Sequence, residues 1–423
     1  MATSPALRSS AQTDSTTSLL AVVDLVRTGA ARTRPELGRA TGLGREVITQ
    51  RLEQATGMGY LEESTFGPSS GGRAPRTLRF RAERGVILVC AAGALHLRVA
   101  IADLDGAVLA STHRDWDISA GPEATIGIAT TMLDGLLAEQ EGDAPVWGVG
   151  IGLPGPVEFD SGRPVAPPIM PGWNGHDVRT PFVERYGAPV WVDNDANLLA
   201  LSERRRRRWD TDADLIYLKV GTGISAALLT RGILHRGASG TAGDIGHVRV
   251  IDGTHSCRCG RVGCLEAEAG GWALVRDARS AVAAGRSLEL AARLDASGRL
   301  TPVDISVAAQ NGDPLSVELI QQSARLAGEA IAALVDIFNP SAVVLGGAVA
   351  GSGELFLAGV RQRVYELSLP VATRDLSMVR SVDDEDDPLV GGAEMVREQL
   401  FRVSFPGWIA EGRPGVTAMS VSS

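Results

Sequence analysis

The stretch Cys257-Arg-Cys259-Gly-Arg-Val-Gly-Cys264 places three of the chain's four cysteines close together, shortly after His247 in Gly243-Asp-Ile-Gly-His247. Three thiolates and one imidazole form the ligand set of a closed, tetrahedral zinc site. The glycines allow the backbone to fold back on itself, so that several sulfurs can face one ion. The pattern therefore predicts a structural Zn²⁺ bound by His247, Cys257, Cys259 and Cys264. Spacing leaves His255 open as an alternative fourth ligand, and three reduced thiols in a tight loop are the alternative to a metal.

Composition limits the class of protein. The 423 residues favour two or three domains, and a hydrophobic fraction of 44% supports sizeable cores. No apolar run reaches the about 18 residues of a membrane span, so no membrane association is predicted. The N-terminus from Met1 to Ser18 lacks an apolar signal core, and the few cysteines are grouped as metal ligands. We therefore expect a cytoplasmic protein.

Charge divides the chain into a basic head and an acidic body. Residues 1–84 contain twelve Arg, no Lys and eight Asp or Glu, a net charge of +4, whereas the remaining residues carry −13. This asymmetry points to a polyanion that binds the head alone. Lys219 is the only lysine of the chain, and we attribute the bias toward arginine to a GC-rich genome rather than to function.

The head shows the pattern of a winged helix-turn-helix. Apolar residues recur at helical spacing over residues 17–28, a short helix with Pro near its start covers 35–40, and a Gly-containing turn precedes a third helix over 45–56. Two strands, 60–65 and 77–80, then flank a Gly-rich loop. The sequence thus predicts a winged helix-turn-helix domain over residues 17–84, preceded by a disordered N-terminus over residues 1–16.

The polar face of the third helix and the loop between the strands are the predicted DNA-binding surfaces. A recognition helix presents its polar face to the major groove, and a flexible arginine-bearing loop can reach phosphates or the minor groove. The predicted DNA-binding residues are Arg45, Glu46, Thr49, Gln50, Arg51, Arg73 and Arg76. The alternative is a small helical protein-binding domain with a solvated hairpin.

From Gly85 onward the pattern changes to that of an α/β fold. Apolar runs at 86–90, 97–102 and 107–112 are punctuated by Gly and Asp, which predicts a meander of strands. A helix over 122–140 and a buried strand over 146–151 follow. Strands, helices and Gly-rich turns then alternate to residue 403, as in an α/β protein.

A series of motifs in this body resembles the ROK family of repressors and sugar kinases. The motifs are Gly150-Ile-Gly-Leu-Pro-Gly-Pro156, Pro171-Gly-Trp173, Asp193-Asn-Asp-Ala-Asn197, Val220-Gly-Thr-Gly223, the His and Cys block, Asn339-Pro340 and Gly346-Gly347. Their joint order is specific, whereas each alone is a weak signal. The resemblance covers about residues 85–403 and implies the two-lobed, actin-like ATPase fold. Lobe 1 would span about 85–196 plus 388–403, and lobe 2 about 197–387.

The resemblance also implies a sugar site between the lobes. Sugar hydroxyls both donate and accept hydrogen bonds, so carboxylates, amides and imidazole are their natural partners. The implied sugar-binding residues are Asn194, Asp195, Asp244, His247 and Glu266. His247 would bridge sugar and zinc, and the metal would act as a structural clamp. Asp195 occupies the position at which the kinases keep their general base.

The phosphate-binding side of the body departs from the kinase pattern. Ala91 and Leu95 stand where an Asp and a Thr are expected by resemblance, and Ser225 replaces a common Gly. Phosphoryl transfer depends on positioning and neutralising the phosphates, so these losses predict that there is no kinase activity and that Asp195 is a vestigial base.

Three stretches remain. The run Arg204–Arg208 is predicted to be a solvated loop rather than a DNA contact. Trp173 is expected either to stack on a sugar ring or to pack in the core. Residues 404–423 lie beyond the family pattern, and this C-terminal tail is expected to be mobile or to pack on a partner subunit.

A helix-turn-helix ahead of a sugar-kinase-like body resembles the repressor branch of the family. The sequence therefore predicts a sugar-responsive transcriptional repressor that binds operator DNA as a homodimer or homotetramer. Its effector would be a sugar or a sugar phosphate. An ATP-dependent sugar kinase with an appended DNA-binding head is one alternative, and a DNA-binding scaffold without an effector is another.

Overall fold

A computed structural model describes residues 10–64, 77–140, 142–207, 209, 213–382 and 386–416. The head contains three helices and a two-stranded antiparallel sheet: α1 (Ser10–Arg27), α2 (Arg34–Thr41), α3 (Arg45–Gly57), β1 (Leu61–Ser64) and β2 (Thr77–Phe80). Helix α1 begins at Ser10, within the segment predicted to be disordered, while residues 1–9 and the loop 65–76 lie outside the described residues.

Local sequence signals explain the ends of α2. Thr33 accepts a hydrogen bond from the Glu36 amide, and the Glu36 carboxylate accepts one from the Thr33 amide, which completes a capping box. Gly42 ends the helix with φ 69°, a conformation that glycine adopts without strain. The apolar stripe of α1, including Leu19 and Val22, is buried against Leu37 and Ile48 from the other two helices.

The first half of the body forms lobe 1 around a five-stranded sheet of order β5-β4-β3-β6-β9. Strand β3 reads VILVCAA and is buried throughout, as expected for a central strand covered on both faces. The elements are β3 (Val86–Ala92), β4 (His96–Asp103), β5 (Val108–Asp115), α4 (Pro122–Glu139), β6 (Val146–Leu153), β7 (Val157–Glu158), β8 (Arg163–Pro164), α5 (Arg179–Tyr186), β9 (Val190–Asn194) and α6 (Asp195–Arg207).

Lobe 2 is built on a second five-stranded sheet, of order β12-β11-β10-β13-β14. Its long helix α11 buries one apolar stripe, which includes Ile320, Ala327 and Ile331. The elements are β10 (Leu215–Val220), β11 (Ile224–Thr230), β12 (Ile233–His235), α7 (Leu265–Ala269), α8 (Gly271–Ala283), α9 (Leu288–Ser297), α10 (Pro302–Gln310), α11 (Pro314–Phe338), β13 (Ala342–Gly346), α12 (Glu354–Leu367), α13 (Pro370–Thr373) and β14 (Ser377–Arg380).

The chain then returns to lobe 1 through α14 (Asp387–Glu398), which packs on β3 and β6 and along α6. The α6–α14 contact requires a glycine, because a Cβ at Gly391 would lie 1.8 Å from the Leu198 carbonyl oxygen. A π-helix (Gln399–Ser404) and a short helix, α15 (Phe405–Trp408), follow. The predicted fold class, a winged helix-turn-helix joined to a two-lobed α/β body, is confirmed.

The prediction of a solvated arginine loop was wrong. Arg204–Arg207 form the last turn of α6 and pair with acidic side chains, while Arg208 lies outside the described residues. Arg204 lies 2.8 Å from Glu394 and 2.7 Å from Glu398, both on α14. Burial alone would raise the pKa of Glu394, but Arg397, Arg204 and Arg205 lower it to about 2. The arginine run therefore fastens α6 to α14.

The prediction for the start of the C-terminal tail was also wrong, because this segment packs on the head of its own chain. Phe405 and Trp408 are buried and lie with Tyr60 of the head and Trp147 of lobe 1 in one aromatic cluster. The Tyr60 hydroxyl donates a 3.2 Å hydrogen bond to the Ile409 carbonyl. Aromatic burial of this extent outweighs the entropy that a free tail would keep.

Among the described residues, no helix combines the length and the apolar character needed to cross a membrane.

Candidate functional site

The two lobes enclose a cavity of about 450 Å³, here called the interlobe cavity. Lobe 1 contributes the turn after β3 and the start of α6, and lobe 2 contributes the β10–β11 turn and the segment around the cysteines. The polar and charged residues that line it are His96, Asn194, Asp195, Asn197, Lys219, Thr222, Ser225, Thr241, Asp244, His247, Arg258, Glu266 and Trp272. Four of the five predicted sugar-binding residues therefore bring charge or imidazole to one cavity, and Asn194 brings an amide.

The predicted metal ligands converge beside this cavity. One ligand atom from each of His247, Cys257, Cys259 and Cys264 lies within 4.8 Å of the other three. The Sγ atoms of Cys259 and Cys264 are 3.7 Å apart, and His247 Nδ1 is 3.6 Å from Cys257 Sγ. A tetrahedral zinc ion requires edges of about 3.8 Å between sulfurs and about 3.5 Å between sulfur and nitrogen. The donor set therefore fits Zn²⁺ in both chemistry and size.

The structure separates the two candidate histidines. His255 Nδ1 lies 2.6 Å from the Glu268 carboxylate, and its amide donates a 2.8 Å hydrogen bond to the same side chain. His247 is the histidine in the cysteine cluster, within the 3₁₀ turn Ile245–His247. A Cβ at Gly246 would lie 2.1 Å from the Ile224 carbonyl oxygen, so only glycine allows this turn to pass so close to β11.

The thiols have unequal electrostatic environments. Burial raises the pKa of Cys257 to about 12, whereas hydrogen bonding from Arg261 outweighs burial at Cys259 and lowers its pKa to about 6. Arg261 therefore favours the thiolate form of Cys259, and a bound cation would favour deprotonation of the other thiols as well.

Glu266 is held rigidly at the cavity wall. It lies two residues after the last cysteine, in the first turn of α7. Its carboxylate accepts hydrogen bonds from the Ile224 amide, at 3.1 Å, and from Trp272 Nε1, at 3.3 Å. Each carboxylate oxygen has a second lone pair, so Glu266 keeps acceptor capacity for a ligand hydroxyl.

Asp244 lies three residues before His247 and is partly buried. Burial raises the pKa of its carboxyl group above the usual value, while His247 and Arg261 oppose this effect. A carboxylate at the cavity wall can accept hydrogen bonds from ligand hydroxyls.

The amide of Asn194 is largely committed to the protein. Its Nδ2 donates to the Gly155 carbonyl at 2.9 Å, and its Oδ1 accepts from the Ala196 amide at 2.9 Å. The neighbouring Asp193 is buried and bound by Asn197, at 2.6 Å, and Arg236, at 2.8 Å. These bonds fix the strand end from which α6 starts, so Asn194 orders the site from lobe 1.

The side chain that faces Asp195 was not predicted from the sequence. Lys219, near the end of β10, donates a hydrogen bond to Asp195 Oδ2 and forms an ion pair with it. The signal was present, since this is the single lysine of the chain, but it was attributed to base composition. The spacing of residues along the sequence could not show that Lys219 and Asp195, which belong to different lobes, form a pair.

The structure places the two altered residues of the phosphate-binding side at the interlobe cavity. Ala91 is buried at the end of β3, and Leu95 is exposed at the cavity. Among the lining residues, neither offers the carboxylate or hydroxyl that binds Mg²⁺ or phosphate in the kinases that the sequence resembles. Trp173 is buried and donates to the Ile118 carbonyl at 3.3 Å, so it belongs to the core of lobe 1.

The predicted DNA-binding residues divide into three groups. Arg45, Glu46 and Gln50 are exposed on α3, and Thr49 is half-buried beside them. Arg51 is half-buried, and its Nε donates a 2.7 Å hydrogen bond to Ser18 on α1. Arg73 and Arg76 lie outside the described residues. Among the described residues, the exposed face of α3 is therefore the part of the predicted DNA-binding surface that a DNA groove could reach.

Comparison with known proteins relates both parts of the chain to one family. The sequence pattern of the ROK family matches residues 88–399. The xylose repressor of Caldicellulosiruptor bescii is 29% identical over 378 residues, which cover 88% of this chain and 93% of the repressor. That alignment is longer than the stretch after residue 84, so it extends into the head.

Solved structures of ROK family proteins are also similar to this chain. A ROK family transcriptional regulator, a homologue of the E. coli MLC protein, matches with a TM-score of 0.77 at 25% identity and covers 94% of this chain and 98% of its own. A ROK family glucokinase from Streptomyces griseus, solved with glucose and AMPPNP, matches with a TM-score of 0.65 at 29% identity. It covers 74% of this chain and all of its own, which is about the extent of the body without the head.

Proposed function

The chain belongs to the ROK family, and on that premise we propose that it is a sugar-responsive transcriptional repressor. The observation that carries the proposal is that one chain joins a winged helix-turn-helix to a hydroxyl-binding cavity through continuous packing. The relatives that span both parts are a repressor and a regulator, whereas the glucokinase covers about the body. A protein that acts on chromosomal DNA would work in the cytoplasm.

The interlobe cavity is the proposed effector site. Asp195, Asp244 and Glu266 supply acceptors, His247 supplies imidazole, and the main chain around Asn194 holds the lobe 1 wall. Because the site takes groups from both lobes, a ligand that binds all of them favours one lobe arrangement over another. A ligand shifts a conformational equilibrium only through such unequal binding.

The proposed zinc ion stabilises the lobe 2 wall of this cavity. His247, Cys257, Cys259 and Cys264 would bind it, and the tetrahedral set leaves no open position for a substrate. Glu266 lies two residues after Cys264, and Asp244 lies three residues before His247. Among the described residues no hydrogen bond engages the other ring nitrogen of His247, and we assign that nitrogen to a ligand hydroxyl. The ion therefore fixes three sugar-binding side chains through the backbone that connects them.

The route from cavity to head follows packed elements. Asp195 is the first residue of α6, and α6 is fastened to α14 by the Arg204–Glu394 and Arg204–Glu398 pairs. Helix α14 continues through the π-helix into Phe405 and Trp408, which contact Tyr60 in the head. A displacement of α6 is therefore transmitted to the head by rigid packing rather than through a flexible linker.

We propose that Glu46, Thr49 and Gln50 on α3 contact base edges, that Arg45 at the start of α3 contacts a phosphate, and that Arg73 and Arg76 reach the phosphates or the minor groove. A palindromic operator requires two heads at a fixed spacing, so we propose that the chain acts as a homodimer or a dimer of dimers. Arg51 is better assigned to bracing α3 on α1, because its Nε is bonded to Ser18.

Similarity to glucokinases makes an ATP-dependent kinase the second candidate, but Ala91 and Leu95 remove groups that phosphoryl transfer needs. A coupled ADP assay over a sugar panel separates the two. A turnover of about one per second, the low end for ordinary enzymes, would establish the kinase.

The proposed function is tested by footprinting genomic DNA with the purified chain and then screening sugars and sugar phosphates for release of the footprinted sites. We expect a small set of palindromic sites and at least one compound that alters their occupancy. Uniform binding across the genome, or sites that respond to no compound in the screen, would contradict the proposal.

A further inference from the structure

The interlobe cavity contains one cation that the proposed function leaves without a role. Lys219 lines the cavity, and its ammonium group is paired with Asp195 across the two lobes. The Lys219 side chain keeps 23% of its exposure, whereas Asp195 keeps 13%. Both side chains are thus partly buried, and both line the cavity.

The register of the sheet directs Lys219 to the lobe interface. Lys219 pairs with Ser225 on β11 and with Gly346 on β13. Leu218 and Val220, its neighbours along β10, are buried in the core of lobe 2. Because side chains alternate along a strand, Lys219 points to the opposite face, toward lobe 1 and the cavity.

Lys219 also lies against the turn Gly221-Thr222-Gly223. A Cβ built on Gly221 would be 3.4 Å from Lys219 Cε, so the aliphatic part of the lysine runs alongside this turn. The main-chain amides of Thr222 and Gly223 donate no hydrogen bond to other described residues. Ser225, which adds a hydroxyl, also lines the cavity. The ammonium group thus stands beside a group of hydrogen-bond donors.

A single carboxylate does not use all the hydrogen-bond donors of the Lys219 ammonium group. An ammonium group has three N–H donors and no acceptor, and among the described residues it donates to Asp195. The remaining donors, the adjacent amides and the two hydroxyls together match an anion with several oxygens better than one neutral hydroxyl. Asp195 alone would repel such an anion, and the lysine cancels that repulsion.

From this arrangement we propose that the effector is a sugar phosphate and that Lys219 is the residue that binds its phosphate group. The inference rests on the proposed function, since it assigns the ligand class of the same cavity. The phosphate lies between Lys219 and the Gly221–Gly223 turn, and the sugar hydroxyls face Asp244, His247 and Glu266. Binding draws the ammonium group from Asp195 toward the phosphate, which changes the contact at the first residue of α6.

The test measures affinity by isothermal calorimetry for three pairs of probes on the full-length protein. The pairs are glucose and glucose 6-phosphate, N-acetylglucosamine and its 6-phosphate, and xylose and xylose 5-phosphate. We expect at least one phosphate to bind about ten- to a hundredfold more tightly than its free sugar, the range of a charged hydrogen bond. In Lys219→Met this preference is lost, while affinity for the free sugar changes little.

Two further variants separate phosphate binding from a purely structural role. In the double variant Lys219→Met with Asp195→Asn, no unpaired carboxylate is left in the cavity, so this variant should fold even if Lys219→Met alone does not. The double variant should also lose the preference for the phosphorylated sugar. Arg258→Met removes another cation that lines the cavity, and this variant should keep the preference for the phosphorylated sugar. Equal losses for sugar and phosphate in Lys219→Met would show that the lysine only supports the fold, and would overturn the inference.

The outcomes also separate this inference from the function on which it rests. If a free sugar binds and releases DNA but no phosphate is preferred, the repressor stands and the phosphate assignment fails. If no probe binds and the footprinted sites respond to no compound, both fail.

Discussion

The hydroxyl of Tyr60, in the DNA-binding head, donates a 3.2 Å hydrogen bond to the carbonyl of Ile409, near the end of the chain. Burial raises the pKa of Tyr60 to about 12, so this hydroxyl remains a donor at physiological pH. Arg84 lies over the same ring, 4.9 Å from its centroid, and donates to the Gly412 carbonyl at 3.3 Å. The head therefore rests on a segment that is continuous with the α14 helix of the body.

We predict that Trp408→Ala uncouples the head from the body. Loss of this buried indole should cost about 3–5 kcal/mol of stability, most of it at the junction. Effector affinity, measured by calorimetry, should stay near that of the wild type, while the effector's influence on DNA affinity is lost. Removal of residues 417–423 is the control and should leave the response intact. A normal DNA response in Trp408→Ala would refute this route.

The metal site yields a prediction about zinc content and effector affinity. Cys259→Ser removes the ligand whose pKa is lowest, so zinc content measured by elemental analysis should fall below one ion per chain. Effector affinity should fall with it, because Asp244, His247 and Glu266 lose their anchor. Cys90→Ser, at a buried cysteine of lobe 1 outside the cluster, is the matched control. Purified wild-type protein without bound zinc would contradict the assignment.

The α6–α14 ion cluster predicts a specific pH dependence. The folded-state pKa of Glu394 is about 2, below its ordinary value of 4.5, so its ionised form stabilises the fold at pH values above about 4.5. That contribution, about 3 kcal/mol, should be lost as the pH falls from about 4.5 toward 2. Chemical denaturation at successive pH values measures it. Glu394→Gln should be destabilised at neutral pH and should show a flatter profile over this range.

The head yields a prediction about sequence readout. Gln50→Ala should lower affinity for the footprinted operator by about 1–3 kcal/mol and relax the preference at one base position. Arg45→Ala should weaken operator and unrelated DNA similarly and reduce the salt dependence by about one counterion. Arg79→Ala, in the ion pairs of β2 with Glu62 and Glu83, serves as the control. Unchanged binding in both α3 variants would exclude α3 as the recognition helix.

The sequence predicted those features that depend on local order. Residue spacing predicted the cysteine cluster, the helices of the head and the alternating strands and helices of the body, because each of these features arises from neighbours along the chain. The loss of phosphate-binding side chains at positions 91 and 95, now Ala91 and Leu95, could be recognised once the family resemblance had aligned these positions. The choice between His247 and His255 required the fold, since both lie within reach of the cysteines along the chain.

Contacts between distant segments escaped prediction for a physical reason. Arg204 and Arg205 read as part of a solvated run, because their partner on α14, Glu394, is about 190 residues away. The tail read as mobile, because its apolar residues have no periodic pattern of their own. Trp408 and Tyr60 meet only when the head docks. Lys219 gained a partner only when the two lobes met at Asp195.

In the proposed function, occupancy of the interlobe cavity sets the affinity of the head for DNA. The most direct measurement is the Kd of the full-length chain for its footprinted operator, by fluorescence anisotropy, with and without a saturating effector shown by calorimetry to bind. This Kd should change by at least about tenfold when the effector is bound, a coupling typical of allosteric proteins. The same Kd in both conditions, with the cavity demonstrably occupied, would contradict it.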